Sequence, residues 1–106
     1  MRYAARRDSN DKIITEALRK AGFQVHDYAQ VGFVPDKLVT KTLPDGKSWV
    51  CWVEIKMPKG RLREAQEAFK SVFDGRGEYY VARDAEAAIR DLWALYDDAI
   101  KPEQRR

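Results

Sequence analysis

Two acidic residues and a lysine stand at the ends of two apolar segments that are joined by a turn sequence. Asp36 follows Val34-Pro35 and opens the first segment, whereas Glu54 and Lys56 close the second. Carboxylates are the preferred ligands of hard divalent cations such as Mg²⁺, which keep several water molecules when bound to proteins. A divalent cation activates water and neutralises developing charge at phosphorus. The chemistry that these residue types predict is therefore metal-dependent hydrolysis of a phosphodiester.

The turn sequence is the feature that would bring these side chains together. Residues 43–47, Leu-Pro-Asp-Gly-Lys, carry the Pro and Asp-Gly pattern of a β-hairpin. Residues 36–42 and 48–56 are thus predicted to be antiparallel strands. With the turn centred between Asp45 and Gly46, opposed residue numbers sum to about 91, so Asp36 faces Ile55 and lies beside Glu54 or Lys56, depending on register.

Opposed side chains in such a hairpin are close enough to share one metal ion, because their Cβ atoms lie about 5 Å apart. Glu54 and Lys56 are two residues apart, which puts them on the same face of a strand. The backbone carbonyl of Ile55 lies between the two acids and is a candidate third oxygen ligand. Lys56 would orient the attacking water, accept its proton or stabilise negative charge.

The remaining segments predict helices and strands around this hairpin. Apolar spacing predicts a helix at 9–21, with Asp8 or Ser9 as its cap and Gly22 after its end. Further elements are predicted as a strand at 23–29, a helix at 62–74, a strand at 79–82 and a helix from a cap at Asp84 to about residue 98. The order α-β-β-β-α-β-α predicts an α/β fold with a mixed four-stranded sheet flanked by helices.

The three predicted helices carry apolar stripes that should face a core, and the stripe of the last helix consists of Ala88, Ile89, Leu92, Trp93 and Tyr96. The inward residues expected in the first helix are Ile13, Ile14, Ala17, Leu18 and Ala21. Those expected in the second are Leu62, Ala65, Phe69 and either Val72 or Phe73. Residues 48–56 are apolar on both sides of the strand, which is typical of a central strand that helices cover on both faces.

The length and composition are those of one domain. The chain has 106 residues, of which 44% are hydrophobic, and we expect a core at about 9–98 and a tail at 99–106. No apolar run approaches a membrane span, and no apolar stretch follows the basic N-terminus, so a secretory signal is not expected. The single cysteine, Cys51, excludes an internal disulfide and is predicted to be buried. These features favour a reducing cytoplasm and no membrane partner.

Basic residues adjoin the candidate carboxylates. Lys59, Arg61 and Arg63 follow Lys56, and Arg7 lies near the start of the chain. The net charge of +3 permits a polyanionic partner without requiring one. Beside a carboxylate site, these side chains predict contacts with nucleic-acid phosphates. The alternative is an ordinary solvated loop and helix start.

The order and spacing of several short motifs resemble the PD-(D/E)XK nuclease superfamily, and within it the VRR-NUC-like branch. The matching segments span about residues 6–93. They are Arg7-Asp8-Ser9-Asn10-Asp11, Gly32 with Pro35-Asp36, Glu54-Ile55-Lys56, Arg61-Leu62, Ala65-Gln66 and Tyr79-Tyr80-Val81-Ala82-Arg83.

The resemblance implies an αβββαβ restriction-endonuclease-like core and a Mg²⁺- or Mn²⁺-dependent deoxyribonuclease from a bacterial or phage-infected cell. By this resemblance, Asp36 and Glu54 are metal ligands and Lys56 is the catalytic lysine. The helix-one acid of the family falls on Asp11 or, less favourably, on Glu16. Gln66 matches a helix-two glutamine at the site. The sequence departs from the family at Lys37, where an apolar residue is usual, and in the longer hairpin turn.

Two functions are therefore expected from the sequence. The first is an enzyme that cleaves DNA, including structured or branched DNA. A domain of this size offers little surface for a long duplex, so we expect it to act as a homodimer. The second is a catalytically inactive module with the same fold that binds nucleic acid or a protein.

Overall fold

The computed structural model describes residues 9–29, 34–73 and 78–100, and the order of helices and strands in this part of the chain is the predicted one. The elements are α1 (Ser9–Lys20), β1 (Gln24–Asp27), β2 (Lys37–Thr42), β3 (Ser48–Ile55), α2 (Glu64–Phe73), β4 (Tyr79–Ala82) and α3 (Ala85–Ala99). Some predictions lie outside the described residues. They concern Arg7, the Asp8 cap, Gly32 and the C-terminal tail from residue 101.

The four strands form one mixed sheet in the order β1-β2-β3-β4. The β1–β2 and β2–β3 pairs are antiparallel, and the β3–β4 pair, which α2 connects, is parallel. This arrangement confirms the predicted α/β class and the mixed four-stranded sheet. Among the described residues, no helix is long and apolar enough to cross a membrane.

The register of the β2–β3 hairpin differs from the prediction by one residue. Lys37 pairs with Val53, so opposed residue numbers sum to 90. The difference arises because the loop has three residues, closed by a hydrogen bond from the Leu43 N–H to the Lys47 carbonyl (2.7 Å), with Gly46 at a φ of 88°. Extending this register by one residue sets Asp36 opposite Glu54, on the same face of the sheet.

The main core lies between one face of the sheet and helices α1 and α3. Alternate residues of β3, namely Cys51, Val53 and Ile55, are buried there. They pack in one hydrophobic cluster with Ile14 and Leu18 of α1 and with residues of α3. Burying each large aliphatic side chain contributes about 1.5–3 kcal/mol. This face therefore provides most of the stability of the sheet.

The opposite face is more thinly covered, by α2. The Trp52 ring lies 6.0 Å from that of Phe69, and Phe69 lies 5.9 Å from Tyr79. However, no residue of α2 is buried, and Val72 is 56% exposed. The prediction that helices cover both faces of β3 is wrong at Val50, which is exposed. The inward stripe predicted for α2 is confirmed only in part, because Ala65 and Val72 are exposed, whereas Leu62, Phe69 and Phe73 are half-buried.

Helix α1 is rotated relative to its predicted orientation. Ile13, expected in the core, is 59% exposed, whereas Asp11 and Thr15 are buried beside the apolar residues Ile14 and Leu18. The rotation has an electrostatic reason. Lys37 of β2 is only 2% exposed on this side of the sheet, and its ammonium group binds the carboxylate of Asp11. A buried lysine requires an anionic partner, and Asp11 supplies it.

Candidate active site

Asp36 and Glu54 come together where the β2–β3 hairpin ends, on the α2 face of the sheet. Asp36 directly precedes β2, and its Oδ2 accepts a hydrogen bond from the Ile55 N–H at 3.1 Å. Glu54, the penultimate residue of β3, is 3% exposed, and the charge and hydrogen bonding of Asp36 act on its carboxyl group. Two side chains separated by the whole hairpin thus form one carboxyl pair.

The surroundings of Glu54 favour the protonated form of its carboxyl group. Burial of Glu54, followed by the negative charge of Asp36 and the hydrogen bond between them, raises the pKa of Glu54 to about 8. The positive charges of Lys56 and Arg63 act in the opposite direction. Two adjacent carboxylates resist ionising together, so the negative charge of Asp36 opposes ionisation of Glu54. The environment therefore favours a proton or another cation between the two acids.

Gln66 connects helix α2 to this pair. Its Nε2 donates a hydrogen bond to Glu54 Oε2 at 2.8 Å, and its Oε1 accepts one from the Arg63 N–H at 2.7 Å. The second contact resembles half of a capping box, because Arg63 directly precedes the helix and Gln66 is its third residue. Gln66 thus fixes the start of α2 and holds one oxygen of Glu54. The family resemblance indicated this residue, whereas its local sequence alone did not.

Lys56 lies just after β3, at a backbone position held by long-range hydrogen bonds. The Asn10 side chain donates to the carbonyls of Lys56 (2.8 Å) and Arg83 (2.7 Å), which joins the start of α1 to the ends of β3 and β4. Arg83 Nη1 in turn donates to the carbonyls of Met57 and Gly60. These contacts fix the turn that follows Lys56.

Asn10 and Arg83 are the residues that sequence reasoning missed as organisers of the site. Both occur in motifs of the family resemblance, but neither was given a role. Their acceptors are backbone carbonyls, and Asn10 is 46 and 73 positions from its two partners. No local pattern signals contacts of this kind, because any residue type supplies a carbonyl.

Asp11, the predicted helix-one ligand, is engaged elsewhere. Its Oδ2 lies 3.1 Å from Lys37 Nζ, and Asp27 Oδ1 lies 3.2 Å from the same nitrogen. Lys37 follows Asp36 in an extended segment, so their side chains point to opposite faces of the sheet. Asp11 thus neutralises a buried lysine on the α1 face, and its binding of a metal with Asp36 and Glu54 stays a prediction. The alternative acid, Glu16, is exposed on α1.

Basic side chains border the carboxyl pair. Lys59, Arg61 and Arg63 are exposed between β3 and α2, and the positive charges of Lys56 and Arg63 both act on Glu54. This placement leaves them accessible to an anionic ligand at the site.

Two other residues with chemical potential have structural surroundings. Burial raises the pKa of the Cys51 thiol to about 12, so the predicted structural role of Cys51 fits its position in the core. His26 lies on the surface with a ring nitrogen 3.2 Å from the Thr40 hydroxyl. Neither residue adjoins the carboxyl pair along the sheet.

The donor groups at the site are oxygens. Within residues 9–29, 34–73 and 78–100, no three His, Cys, Asp or Glu side chains cluster closely enough to hold a metal ion by themselves. Asp36 and Glu54 could therefore offer two side-chain oxygen ligands, and a third protein oxygen would have to be a backbone carbonyl such as that of Ile55.

Comparison of the chain with protein-family models, with curated proteins and with solved structures finds no match. The functional interpretation consequently depends on the geometry of the site and on its surroundings.

Proposed function

We propose that this protein is a metal-dependent nuclease of the PD-(D/E)XK type, with an αβββαβ core, that hydrolyses phosphodiester bonds in DNA. The observation that carries the proposal is the pairing of half-buried Asp36 with buried Glu54, which Gln66 holds and the charge of Lys56 acts on. A structural carboxyl pair has no need of an adjacent lysine and a bordering set of arginines. A phosphodiester-cleaving site needs all of these groups.

The donor set fits Mg²⁺ or Mn²⁺. Asp36 and Glu54, with the carbonyl of Ile55, offer only oxygen ligands, which hard divalent cations prefer. Burial and then the negative charge of Asp36 raise the pKa of Glu54 to about 8, and a divalent cation bound beside both carboxylates would favour their ionised forms. When bound there, such a cation would acidify water and neutralise charge on the phosphate.

The other residues have roles that follow from their positions. Lys56 stabilises negative charge or orients the attacking water beside Glu54. Gln66 orients the Glu54 carboxyl group through its 2.8 Å hydrogen bond. Lys59, Arg61 and Arg63 bind backbone phosphates of the DNA, which are the sequence-independent contacts of protein–DNA complexes. Asp11 takes no part, because it pairs with Lys37.

The proposal extends to the assembly and the compartment. A homodimer in which each subunit cuts one strand would let a 106-residue chain act on both strands of a duplex. A reducing cytoplasm suits the free thiol of Cys51, and structured or branched DNA is the proposed substrate.

Cleavage of supercoiled plasmid and of branched DNA tests the proposal. We expect nicking with Mn²⁺, none with EDTA, and a rate for Glu54→Gln that is below about one hundredth of the wild-type rate. Glu67→Gln is the matched control, because Glu67 is an exposed glutamate of α2. Binding of DNA without cleavage would instead support the inactive module, which the engagement of Asp11 with Lys37 favours. Full activity of Glu54→Gln would contradict both the site and the mechanism.

A further inference from the structure

Aromatic side chains extend from the candidate active site along the α2 face of the sheet. Trp52 is two residues before Glu54 and on the same face of β3, and Phe69 is one helical turn after Gln66. The Trp52 and Phe69 rings are 6.0 Å apart and nearly perpendicular. Tyr28 lies 5.4 Å from Trp52, and Phe73 lies 4.8 Å from Phe69. We call Tyr28, Trp52, Phe69 and Phe73 the aromatic surface.

The aromatic surface is only partly covered by the rest of the described chain. Tyr28 is exposed, Trp52, Phe69 and Phe73 are half-buried, and no residue of α2 is fully buried. By contrast, Trp49 on the other face of β3 is buried against Phe23 and Tyr96. A group of open rings this close to a polar site is suited to a ligand with flat faces.

The charges around the aromatic surface are mainly positive on the side of the site. Four basic residues lie in the segment that connects β3, which contains Trp52, to α2, which contains Phe69. They are Lys56, Lys59, Arg61 and Arg63. The acidic residues of the first turn of α2, Glu64 and Glu67, fall away from the stripe formed by Gln66, Phe69 and Phe73, because of their helical spacing. Aromatic rings beside a basic border are typical of surfaces that bind single-stranded nucleic acid.

We propose that the aromatic surface stacks unpaired bases of a nucleic-acid strand whose phosphates contact Lys56, Lys59, Arg61 and Arg63. This inference rests on the proposed function, and it identifies the substrate as a strand with unstacked bases, such as a flap, a fork or a branch. In a regular duplex the base faces are hidden by their neighbours. A nucleic-acid strand that reaches Glu54 and Gln66 also passes Trp52, the neighbouring residue on that face of β3, and Phe69, one turn further along α2.

A second copy of the chain is a poorer occupant for this surface. A two-fold interface places the same patch of both subunits face to face. It would therefore bring the two basic borders together and cover the Asp36–Glu54 pair. Nucleic acid instead has charge complementary to that border.

Binding without catalysis tests the inference. In EDTA, we expect the full-length protein to bind a labelled single-stranded oligothymidine more tightly than a duplex of equal length, measured by fluorescence anisotropy. Phe69→Leu and Trp52→Leu each remove a ring but keep an apolar side chain. Each should weaken single-strand binding about tenfold, since one stacked base contributes that order of affinity. Duplex binding should change by less than about twofold, because it depends on the basic border.

Ile13→Ala is the matched control, because Ile13 is an exposed apolar residue of α1 on the other side of the sheet. It should leave both affinities unchanged, and circular dichroism should show all three variants folded. Tryptophan fluorescence adds a direct readout. The oligonucleotide should quench the wild-type signal and not that of Trp52→Leu, in which Trp49 and Trp93 remain. Equal loss of single-strand and duplex binding, or no loss, would overturn the inference, as would a change of oligomeric state in Phe69→Leu.

The outcome is separable from that of the proposed nuclease function. Ring-dependent binding without Mn²⁺-dependent cleavage would uphold the aromatic surface and reject the enzyme. Mn²⁺-dependent cleavage with unaltered binding by Phe69→Leu and Trp52→Leu would uphold the enzyme and reject the aromatic surface.

Discussion

The raised pKa of Glu54 links the charge of the candidate site to the stability of the fold. Its pKa is raised from an ordinary value of 4.5 to about 8, mainly by burial and then by Asp36. Between these two values the folded protein binds more protons than the unfolded chain. The free energy of unfolding must therefore fall as pH rises through this interval. Below about pH 4.5 the contribution of Glu54 to stability is fully present.

We predict that, without divalent cations, the wild-type protein loses about 1–2 kcal/mol of stability through Glu54 between pH 5 and pH 8, since water near the site screens part of the pKa shift. Glu54→Gln carries no titrating group and should show a flatter profile. Urea denaturation across this pH range measures the effect. Glu67→Gln, an exposed glutamate on α2, should follow the wild type. Identical slopes for wild type and Glu54→Gln would show that Glu54 is ionised normally.

Residue types predicted the carboxyl pair but not the buried lysine. Asp36 and Glu54 were identified because both interrupt apolar segments at strand ends that a hairpin brings together. Lys37 follows the pattern of a solvated residue, because lysine is rarely buried. Its burial depends on Asp11 and Asp27, which reach it from other elements. Sequence spacing contains no signal for ion pairs that join residues of three different elements.

At the scale of elements, the sequence predicted what local interactions determine. The bounds of β4 and the cap of α3 agree with prediction, and Asp84 Oδ1 accepts a hydrogen bond from the Ala87 N–H. Gly22, expected after α1, has a φ of 103°. The hairpin register was wrong by one residue because Asp-Gly occurs in both two- and three-residue loops. The length of the loop determines which residue at the end of β3 lies opposite Asp36. Because the sequence did not fix that length, it did not fix the partner of Asp36.

The docking of α1 depends on the ion pair between Asp11 and Lys37, and this leads to a prediction. Asp11→Asn removes the charge that neutralises an ammonium group only 2% exposed. Because Asp27 still contacts Lys37, we expect a loss of about 2–4 kcal/mol in the free energy of unfolding. Urea denaturation at pH 7 measures the loss. Glu16→Gln, an exposed acid on the same helix, should change stability by less than about 0.5 kcal/mol.

A double variant at Asp11 and Lys37 separates a structural acid from a metal ligand. If Asp11 serves only Lys37, the double variant Asp11→Leu/Lys37→Met should recover most of the lost stability, because apolar groups replace buried ion pairs at little cost. Mn²⁺ should raise the melting temperature of this double variant as much as that of the wild type. A selective loss of the Mn²⁺ effect would return Asp11 to the site.

At the scale of the whole molecule, the two faces of the sheet carry different groups of residues. The α1–α3 face holds the hydrophobic core, including Ile14, Leu18 and Leu92. The α2 face holds the carboxyl pair, the basic border and the aromatic surface, and it has no fully buried helix residue. The sequence could not reveal this division, because α1 and α2 have similarly amphipathic patterns. The two helices differ in burial because α1 packs in the hydrophobic core and α2 does not.

This asymmetry predicts that α2 opens without unfolding the rest of the described domain. In the described part of the chain, the contacts of α2 include the Gln66 hydrogen bond and ring contacts on a half-buried face, whereas α1 packs in the core cluster. Backbone amides of α2 should therefore exchange through openings that cost roughly 2–4 kcal/mol less than those of α1. Hydrogen exchange followed by mass spectrometry compares the two helices, which have 10 and 12 residues. Ring-dependent binding of a single strand should slow exchange in α2 and leave α1 unchanged. Equal protection of both helices in the free protein would mean that α2 belongs to the cooperative core.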